Sequence, residues 1–444
     1  MPVVVRTSSA LAVGGLLAAS ALAALPPRVS AVMAYEDSPV RAAGVELVSD
    51  LSAIREAVVR GTPAALSRLS RARGVIGLFP DDRVVLTGSA GSGTGVPAAT
   101  GLGGGAGTRD ASRGVRVAVV DTGVSDTGAL DRASGRLVDG FTVGGGFADA
   151  YGHGTFMASV IAGGPVDGSK GRPVGIAPAA TVVVVKVADR EGTTSLSDVV
   201  AGLDWLVRHA DQVDVANLSF SHERPSAGYG GDPLNLGVEH VRAAGIVPVV
   251  AAGNDSDRVG DPGFDPQALT VGAADLTGGA AGVASFSGSA VVSGVRKPDV
   301  VANGVSVLGV LPPESLVAKA HPSARADGAL WRGTGTSQAT AVTSGLAAMF
   351  LQDHPAATPA QVKASLRAVA DDLPGSRDGA GLADVGKKVV SGPDGAAYDG
   401  SGDATGEGSF DASSWSASSW SASSWSASSW SASSWSASSW SSLW

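Results

Sequence analysis

The chain has 444 residues, of which 44% are hydrophobic and 16% charged, and its formal net charge is −9. This length suggests two or three domains, or one large domain with appendages, and the apolar fraction is enough for a sizeable core. No stretch is strongly basic, so a nucleic-acid partner is not expected, because neutralising phosphates needs clustered Lys and Arg. The chain contains no cysteine, which excludes disulfides, thiol catalysis and cysteine-based zinc sites, but not export.

The N-terminal segment, residues 1–34, has the pattern of a secretory signal peptide. Arg6 precedes an uncharged apolar run, Leu11–Leu25, and the small residues of Ala21–Ala23 or of Val29–Ala31 fit a cleavage site. The run is shorter than the ~18 apolar residues expected of a membrane-spanning helix, so an uncleaved anchor or a buried helix is the weaker interpretation. Secretion of the protein is therefore predicted.

Residues 35–87 predict a small α+β unit. The apolar runs Val75–Phe79 and Val84–Leu86 are of strand length, and Ala64–Leu69 has a helical pattern. After this unit, residues 88–107 are rich in glycine without periodicity and predict a flexible linker. A first helix is predicted in the unit from four apolar residues at helical spacing, Leu47, Leu51, Ile54 and Val58.

Residues 108–390 alternate strand and helix signals, which predicts an α/β fold of three layers, with helices on both faces of a parallel sheet. Sites in such folds lie at the carboxyl ends of the strands. The predicted strands are Val115–Val120, Thr181–Val187, Val213–Leu218, Ile246–Ala251 and Leu269–Ala273. The predicted helices are Phe156–Ala162, Leu196–His209, Leu236–Ala244, Ser337–Gln352 and Thr358–Ala370.

The C-terminal segment, residues 391–444, holds five acidic residues and no basic one. From Ser413 the pentapeptide SSWSA repeats five times, so a Trp recurs every fifth residue. A period of five matches neither the strand repeat nor the helix repeat, which predicts an exposed, flexible tail. One interpretation is that its aromatic rings bind a partner at the cell envelope, and the other is a low-complexity extension with no fixed partner.

Three polar residues stand where strands end or helices begin. Asp121 follows the apolar run of Val117–Val120, His153 lies in Gly-His-Gly-Thr at a helix start, and Ser337 follows a Gly-rich turn at another. A serine hydroxyl needs a neighbouring base, and histidine serves near neutral pH. A carboxylate on the far ring nitrogen fixes the tautomer and stabilises the imidazolium. Each residue alone has a plain structural explanation as a cap or turn residue, but together they predict a catalytic triad.

A fourth polar residue, Asn254, follows the apolar run Val249–Ala252 and a glycine. Its side-chain amide is predicted to stabilise a developing oxyanion together with the backbone N–H of Ser337. A left-handed turn position is the structural alternative for an Asn after Gly.

In these motifs the chain resembles the subtilisin-like (subtilase) serine peptidases. The chain order Asp, His, Ser is that of subtilisin, Asp121 and His153 are 32 residues apart, and the resemblance extends over about residues 115–370. It implies a secreted serine endopeptidase that acts on proteins or peptides through an acyl-serine intermediate. It also implies that residues 35–87 are an inhibitory propeptide, cut away in the linker.

The resemblance further implies where a peptide substrate binds. Residues 190–195 are implied to border the substrate cleft on one side. On the other side, an extended segment of backbone would pair with the substrate as an added strand. For Phe220 a purely core role is the alternative. The implied edge is Ser219, Phe220 and Ser221, and the implied wall of the first specificity pocket is Ala251, Ala252 and Gly253.

The chain departs from the family pattern at residues that carry no catalytic group. Ser221 replaces a glycine of the substrate strand and Gln338 a methionine, which affects the shape of the pocket; Phe156, Asn303 and Ala341 are further departures. No acidic cluster matches a calcium loop strongly enough to predict one, and neither a metal nor another cofactor is expected. Two alternative functions remain. The chain could be a binding protein with an inactive peptidase fold, or a cell-envelope interaction protein in which the tail matters most and proteolysis is incidental.

Overall fold

A computed structural model describes residues 27–86, 89–90, 114–222, 232–277, 281–292 and 294–383. The core of the predicted signal peptide, most of the Gly-rich linker and the whole repeat tail lie outside these residues. No helix within the described ranges has the length and apolar character needed to cross a membrane.

The N-terminal unit, residues 29–86, contains an antiparallel sheet in the strand order β2-β3-β1-β4, with one helix. The unit begins at Val29, so the boundary predicted at residue 35 falls inside its first strand. The helix predicted across residues 47–58 is wrong, because that segment forms the hairpin β2–β3 with a turn at Arg55, whose φ is +54°. The elements are β1 Val29–Tyr35, β2 Val45–Leu51, β3 Glu56–Gly61, α1 Pro63–Leu69, β4 Val75–Pro80, β5 Arg83–Leu86 and, just after the unit, β6 Ser89–Ala90.

The main unit, residues 114–383, is built on an eight-stranded sheet, seven of whose strands run parallel. Its inner strands are rich in valine and buried on both faces, as expected for a sheet covered by helices on each side, while the edge strands are partly exposed. The strands of the main unit, including those outside this sheet, are β7 Arg116–Asp121, β8 Leu137–Thr142, β9 Thr181–Lys186, β10 Thr194–Ser195, β11 Val215–Leu218, β12 Phe220–Ser221, β13 Val247–Ala251, β14 Leu269–Asp275, β15 Gly282–Val283, β16 Ala290–Val292, β17 Val295–Lys297, β18 Val300–Asn303, β19 Val307–Val310 and β20 Leu330–Thr334.

The order β8-β9-β7-β11-β13-β14 continues to β18, with β15 antiparallel to the end of β14. The chain therefore goes from β7 to one side of it and then to the other, which makes a switch point at the carboxyl end of β7. Helices α2 and α6 pack together, as do α3 and α4, so the predicted α/β class with three layers is confirmed. The helices are α2 His153–Ala162, α3 Leu196–Arg208, α4 Pro233–Ala243, α5 Leu316–Ala320, α6 Thr336–Asp353 and α7 Pro359–Ala368.

One face of the N-terminal sheet packs on α3 and α4 of the main unit. Four apolar residues of this face join the large core of the main unit, while the opposite face packs on α1. Glu56 lies in this interface with no exposed surface, and neither carboxyl oxygen has a hydrogen-bond partner among the described residues. The four apolar residues are Val32, Leu51, Ile54 and Val58.

The N-terminal unit also caps the first turn of α3. Ser197 donates its backbone N–H and its hydroxyl to the Asp81 carboxylate, each at 2.8 Å. The backbone N–H of Leu196 donates to the Asp82 carbonyl, also at 2.8 Å. The first N–H groups of a helix have no partner within it, and a negative charge there is favoured by the helix dipole. The two units are therefore joined by polar contacts as well as by apolar packing.

Candidate active site

Asp121 and His153 lie in direct contact. Asp121 is the last residue of β7 and His153 the first residue of α2. The imidazole Nδ1 lies 2.9 Å from Asp121 Oδ1 and 2.8 Å from Oδ2, and both residues are buried. A carboxylate on Nδ1 holds the proton there, which leaves Nε2 as the basic nitrogen.

The backbone around this pair is tightly packed. The Thr122 N–H donates to Asp121 Oδ1 at 2.7 Å, and Thr122 Oγ1 accepts the N–H of Gly154 at 2.9 Å. A Cβ on Gly154 would lie 2.2 Å from the Gly123 carbonyl oxygen, which no real contact permits. The position after His153 therefore requires a glycine, which explains part of the motif.

Asp149 is a residue of the site that sequence reasoning missed. The N-cap of α2 is Gly152, which has no side chain, and the buried Asp149 carboxylate takes over this role. It accepts N–H bonds from Gly152 at 2.7 Å and Thr155 at 2.8 Å, and the Thr155 hydroxyl at 2.8 Å. Burial raises the pKa of Asp149, and these hydrogen bonds oppose that shift. An Asp shortly before a helix start was the available sequence signal.

Ser337 is the second residue of α6, and its hydroxyl donates to the Ser219 carbonyl at 3.1 Å. A chain of hydrogen bonds between buried polar side chains extends from Ser219. The Asn217 amide donates to Ser219 Oγ at 2.8 Å, and the Ser344 hydroxyl donates to Asn217 Oδ1 at 3.0 Å. His153 Nε2 is buried and has no hydrogen-bond partner within the described part of the chain. Catalytic hydrogen bonds often form only in the substrate complex, so a Ser337 hydroxyl bonded to Ser219 is compatible with a later hydrogen bond to His153 Nε2.

Asn254 lies three residues beyond the end of β13, next to the start of α6. Its Oδ1 accepts the backbone N–H and the hydroxyl of Thr336, each at 3.0 Å. Thr336 directly precedes Ser337, so this contact fixes the amide of Asn254 beside the predicted nucleophile. The opposite end of the amide, Nδ2, is the one that can donate a hydrogen bond.

The segment that follows Ser219 forms one edge of a cleft, which we call the substrate cleft and which lies between β10 and β12. The strand β5 lies in it, antiparallel to both. Val85 pairs with Ser221 and Leu86 with Phe220, while Val84 pairs with Thr194. The side chain of Phe220 is fully buried in the core, and its backbone pairs with β5.

The chain emerges from the substrate cleft at β6. Ser89 pairs with Thr334 and Ala90 with Gly333, on the strand that leads into α6. Strand β5 lies before the Ser337 position and β6 beyond it, so the chain's own backbone flanks the predicted nucleophile on both sides. This contact between the N-terminal segment and the site could not be read from the sequence.

The predicted pocket wall is buried. Ala251 is the last residue of β13, Gly253 has a φ of +92°, and neither Ala251 nor Ala252 is exposed. The backbone N–H of Gly260 donates to the Ala252 carbonyl at 3.0 Å, which closes the base of the space between this wall and β12. Within the described residues, no group of three or more His, Asp or Glu is arranged to hold a metal ion.

Phe156, a departure from the family pattern, packs beneath the hairpin of β19 and β20. A Cβ on Gly309 or on Gly333 would lie 2.8 Å from its ring. Glycines at these two positions therefore leave room for the ring of Phe156. The ring in turn supports β20, the strand that leads to Ser337.

Comparison with known sequences decides the family. A profile of the subtilase family matches residues 112–386, more than half of the chain. The chain belongs to the subtilase family. The serine protease AprX of Bacillus subtilis is 34% identical over 57% of this chain and 61% of its own length, and subtilisin E of the same organism is 32% identical over 58% and 61%.

An extracellular serine proteinase of Thermus sp. is 32% identical over 57% of this chain and 54% of its own length. The chain thus spans less than two thirds of the length of these relatives. Among solved structures, fervidolysin from Fervidobacterium pennivorans, a keratinolytic enzyme related to subtilisin, superposes with a TM-score of 0.63 at 22% identity. The match covers 81% of this chain and 60% of fervidolysin, and it establishes the subtilisin-like fold.

Proposed function

We propose that the chain is the precursor of a secreted serine endopeptidase, with Asp121, His153 and Ser337 as its triad. In the first step, His153 Nε2 takes the proton of the Ser337 hydroxyl while its oxygen attacks the substrate carbonyl. For this the hydroxyl exchanges its bond with Ser219 for one with Nε2. Asp121 stabilises the imidazolium, and Asn254 Nδ2 with the Ser337 N–H bind the oxyanion.

The tetrahedral intermediate then collapses and His153 returns the proton to the leaving amine. The acyl group stays on Ser337 as an ester, and water, activated by the same histidine, releases it as a carboxylic acid. An extended peptide pairs with Ser219, Phe220 and Ser221 before the scissile bond. The complete set of catalytic groups favours this proposal over an inactive binding protein.

The observation that carries the proposal is the course of the chain through its own cleft. Strand β5 occupies the substrate cleft as an added strand, antiparallel to both edges, and β6 continues beyond Ser337. This is the arrangement expected of a bound peptide substrate. The N-terminal unit thus has the features of a propeptide that blocks the cleft until it is cut.

The maturation cut is proposed to follow Thr87 or Gly88, because β5 ends at Leu86 on one side of the Ser337 position and β6 begins at Ser89 on the other. This lies at the start of the predicted linker. For the signal peptide, cleavage after Ala23 is favoured over the alternative near Ala31, since Ala31 lies within β1 and is fully buried.

The test compares the secreted wild type with Ser337→Ala and with a matched control, Ser134→Ala, in an exposed turn. The wild type and the control are expected to hydrolyse casein and to yield a mature form whose first residue, by mass spectrometry, is 88 or 89. Ser337→Ala is expected to stay uncut and inactive, because the nucleophile is removed. Casein hydrolysis by Ser337→Ala at the wild-type rate would show the proposal to be wrong.

A further inference from the structure

The side chain of Ser221 lies over the backbone of Gly260. A Cβ built on Gly260 would lie 1.9 Å from Ser221 Oγ and 2.9 Å from its Cβ, and a Cβ built on Gly253 would lie 3.4 Å from Oγ. Ser221 itself is only 6% exposed. Three parts of the chain, β12, the segment after β13 and the loop at Gly260, therefore meet at this hydroxymethyl group.

This meeting point is the base of the space that receives the residue before the scissile bond. Leu86 pairs with Phe220, so the next residue of a bound chain lies opposite Ser219, whose carbonyl accepts the Ser337 hydroxyl. Its side chain enters between the backbone of 219–221 and that of 251–253, which extend neighbouring strands of the sheet. Gly260, bonded to the Ala252 carbonyl, closes that space below.

We propose that Ser221 makes this first specificity pocket shallow, so that the enzyme cuts after small side chains, those of Gly, Ala, Ser or Thr. The proposal rests on the peptidase function above and specifies its substrate class. A large ring in the pocket would have to occupy the volume that Ser221 already fills, and packed protein interiors do not yield that volume freely.

A separate observation agrees with it. The residues between Leu86 and Ser89 in the sequence are Thr87 and Gly88, so a cut after either one would follow a small residue. Neither would require deep space below the substrate strand. The pocket geometry and the sequence of the proposed maturation site thus point to the same preference.

The experiment measures kcat/KM of the mature enzyme on peptides that differ only in the residue before the cut, Ala, Thr, Leu or Phe. We expect the wild type to favour Ala and Thr over Phe by tenfold or more. Ser221→Gly should raise kcat/KM for Phe at least tenfold and change that for Ala by less than threefold. Ser221→Thr should lower kcat/KM for the Leu and Phe peptides below the wild-type values. Ser134→Gly makes the same chemical change as Ser221→Gly in an exposed turn and should leave every ratio unchanged.

The ratio between substrates is the informative quantity, because a merely structural role of Ser221 would change all four rates together. Equal cleavage after Ala and Phe by the wild type, or an unchanged ratio in Ser221→Gly, overturns the inference and leaves the peptidase function standing. A mature protein that cleaves neither these peptides nor casein would instead refute the peptidase function.

Discussion

Replacing Asp81 by alanine should loosen the N-terminal unit from the mature enzyme. The Asp81 carboxylate accepts two hydrogen bonds at 2.8 Å, from the N–H and the hydroxyl of Ser197 in the first turn of α3. Removing a helix cap costs about 0.5–2 kcal/mol, and a hydrogen bond to a charged group is worth about 1.5–3 kcal/mol when buried. Because Asp81 is half-buried and water replaces part of the loss, we take about 2 kcal/mol, which weakens binding roughly 30-fold.

The assay follows two quantities after secretion or refolding, the cut of the chain on a gel and the appearance of activity on a small peptide. Changes in affinity within one interface appear mostly in the dissociation rate. The interval between cut and activity should therefore shorten roughly 30-fold in Asp81→Ala, if all of the loss falls on dissociation. Asp81→Asn keeps an acceptor without the charge and should show a smaller effect.

Asp37→Ala serves as the control, since Asp37 is an exposed acid of the same unit. It should leave the interval unchanged. An interval in Asp81→Ala equal to that of the wild type would refute the reasoning, because the capping contact would then contribute nothing to inhibition. An equal shortening in Asp37→Ala would mean that net charge, and not the contact, matters.

Two further predictions concern buried polar groups. Burial, with Asp232 and Asp204 adding in the same direction, raises the pKa of Glu56 well above its ordinary value of 4.5. Its carboxyl is therefore neutral when docked at acidic pH, and the contribution of Glu56 to docking is fully present below 4.5 and is lost as the pH rises through the raised pKa. Release of the cut unit should accelerate with pH in the wild type and become nearly independent of pH in Glu56→Gln; a steep profile in Glu56→Gln would contradict this. Asn254→Ala should lower kcat by about 10²–10³, a range known from the relative subtilisin, with little change in KM; a raised KM at unchanged kcat would make Asn254 a binding residue.

The sequence predicted five of the eight strands of the central sheet, β7, β9, β11, β13 and β14, because these are continuous apolar runs bounded by polar residues or turns. The strands β8, β15 and β18, which are shorter or partly polar, were not predicted. The helix predicted over residues 47–58 failed for a tertiary reason. Leu51, Ile54 and Val58 are spaced as on a helix, yet they lie on a hairpin whose face packs on α3 and α4. Burial against a distant part of the chain produced the spacing, and the local pattern did not reveal it.

The candidate site divides in the same way. Asp121, His153 and Ser337 were predicted because each stands in a short motif at the end of a strand or the start of a helix. Asp149 and the contact of Ser221 with Gly260 depend on how separate loops meet, so no local motif contained them. The first caps the helix that begins at His153, and the second lies at the base of the proposed pocket.

The passage of β5 through the substrate cleft has a consequence for where the enzyme becomes active. In the precursor proposed above, inhibitor and enzyme are one molecule before the cut, and the effective concentration of such a tethered pair is set by the tether and does not depend on dilution. After the cut, rebinding becomes bimolecular and falls in proportion to concentration. Dispersal from the cell would thus itself complete activation, whereas a crowded secretion route would keep the cut protein silent.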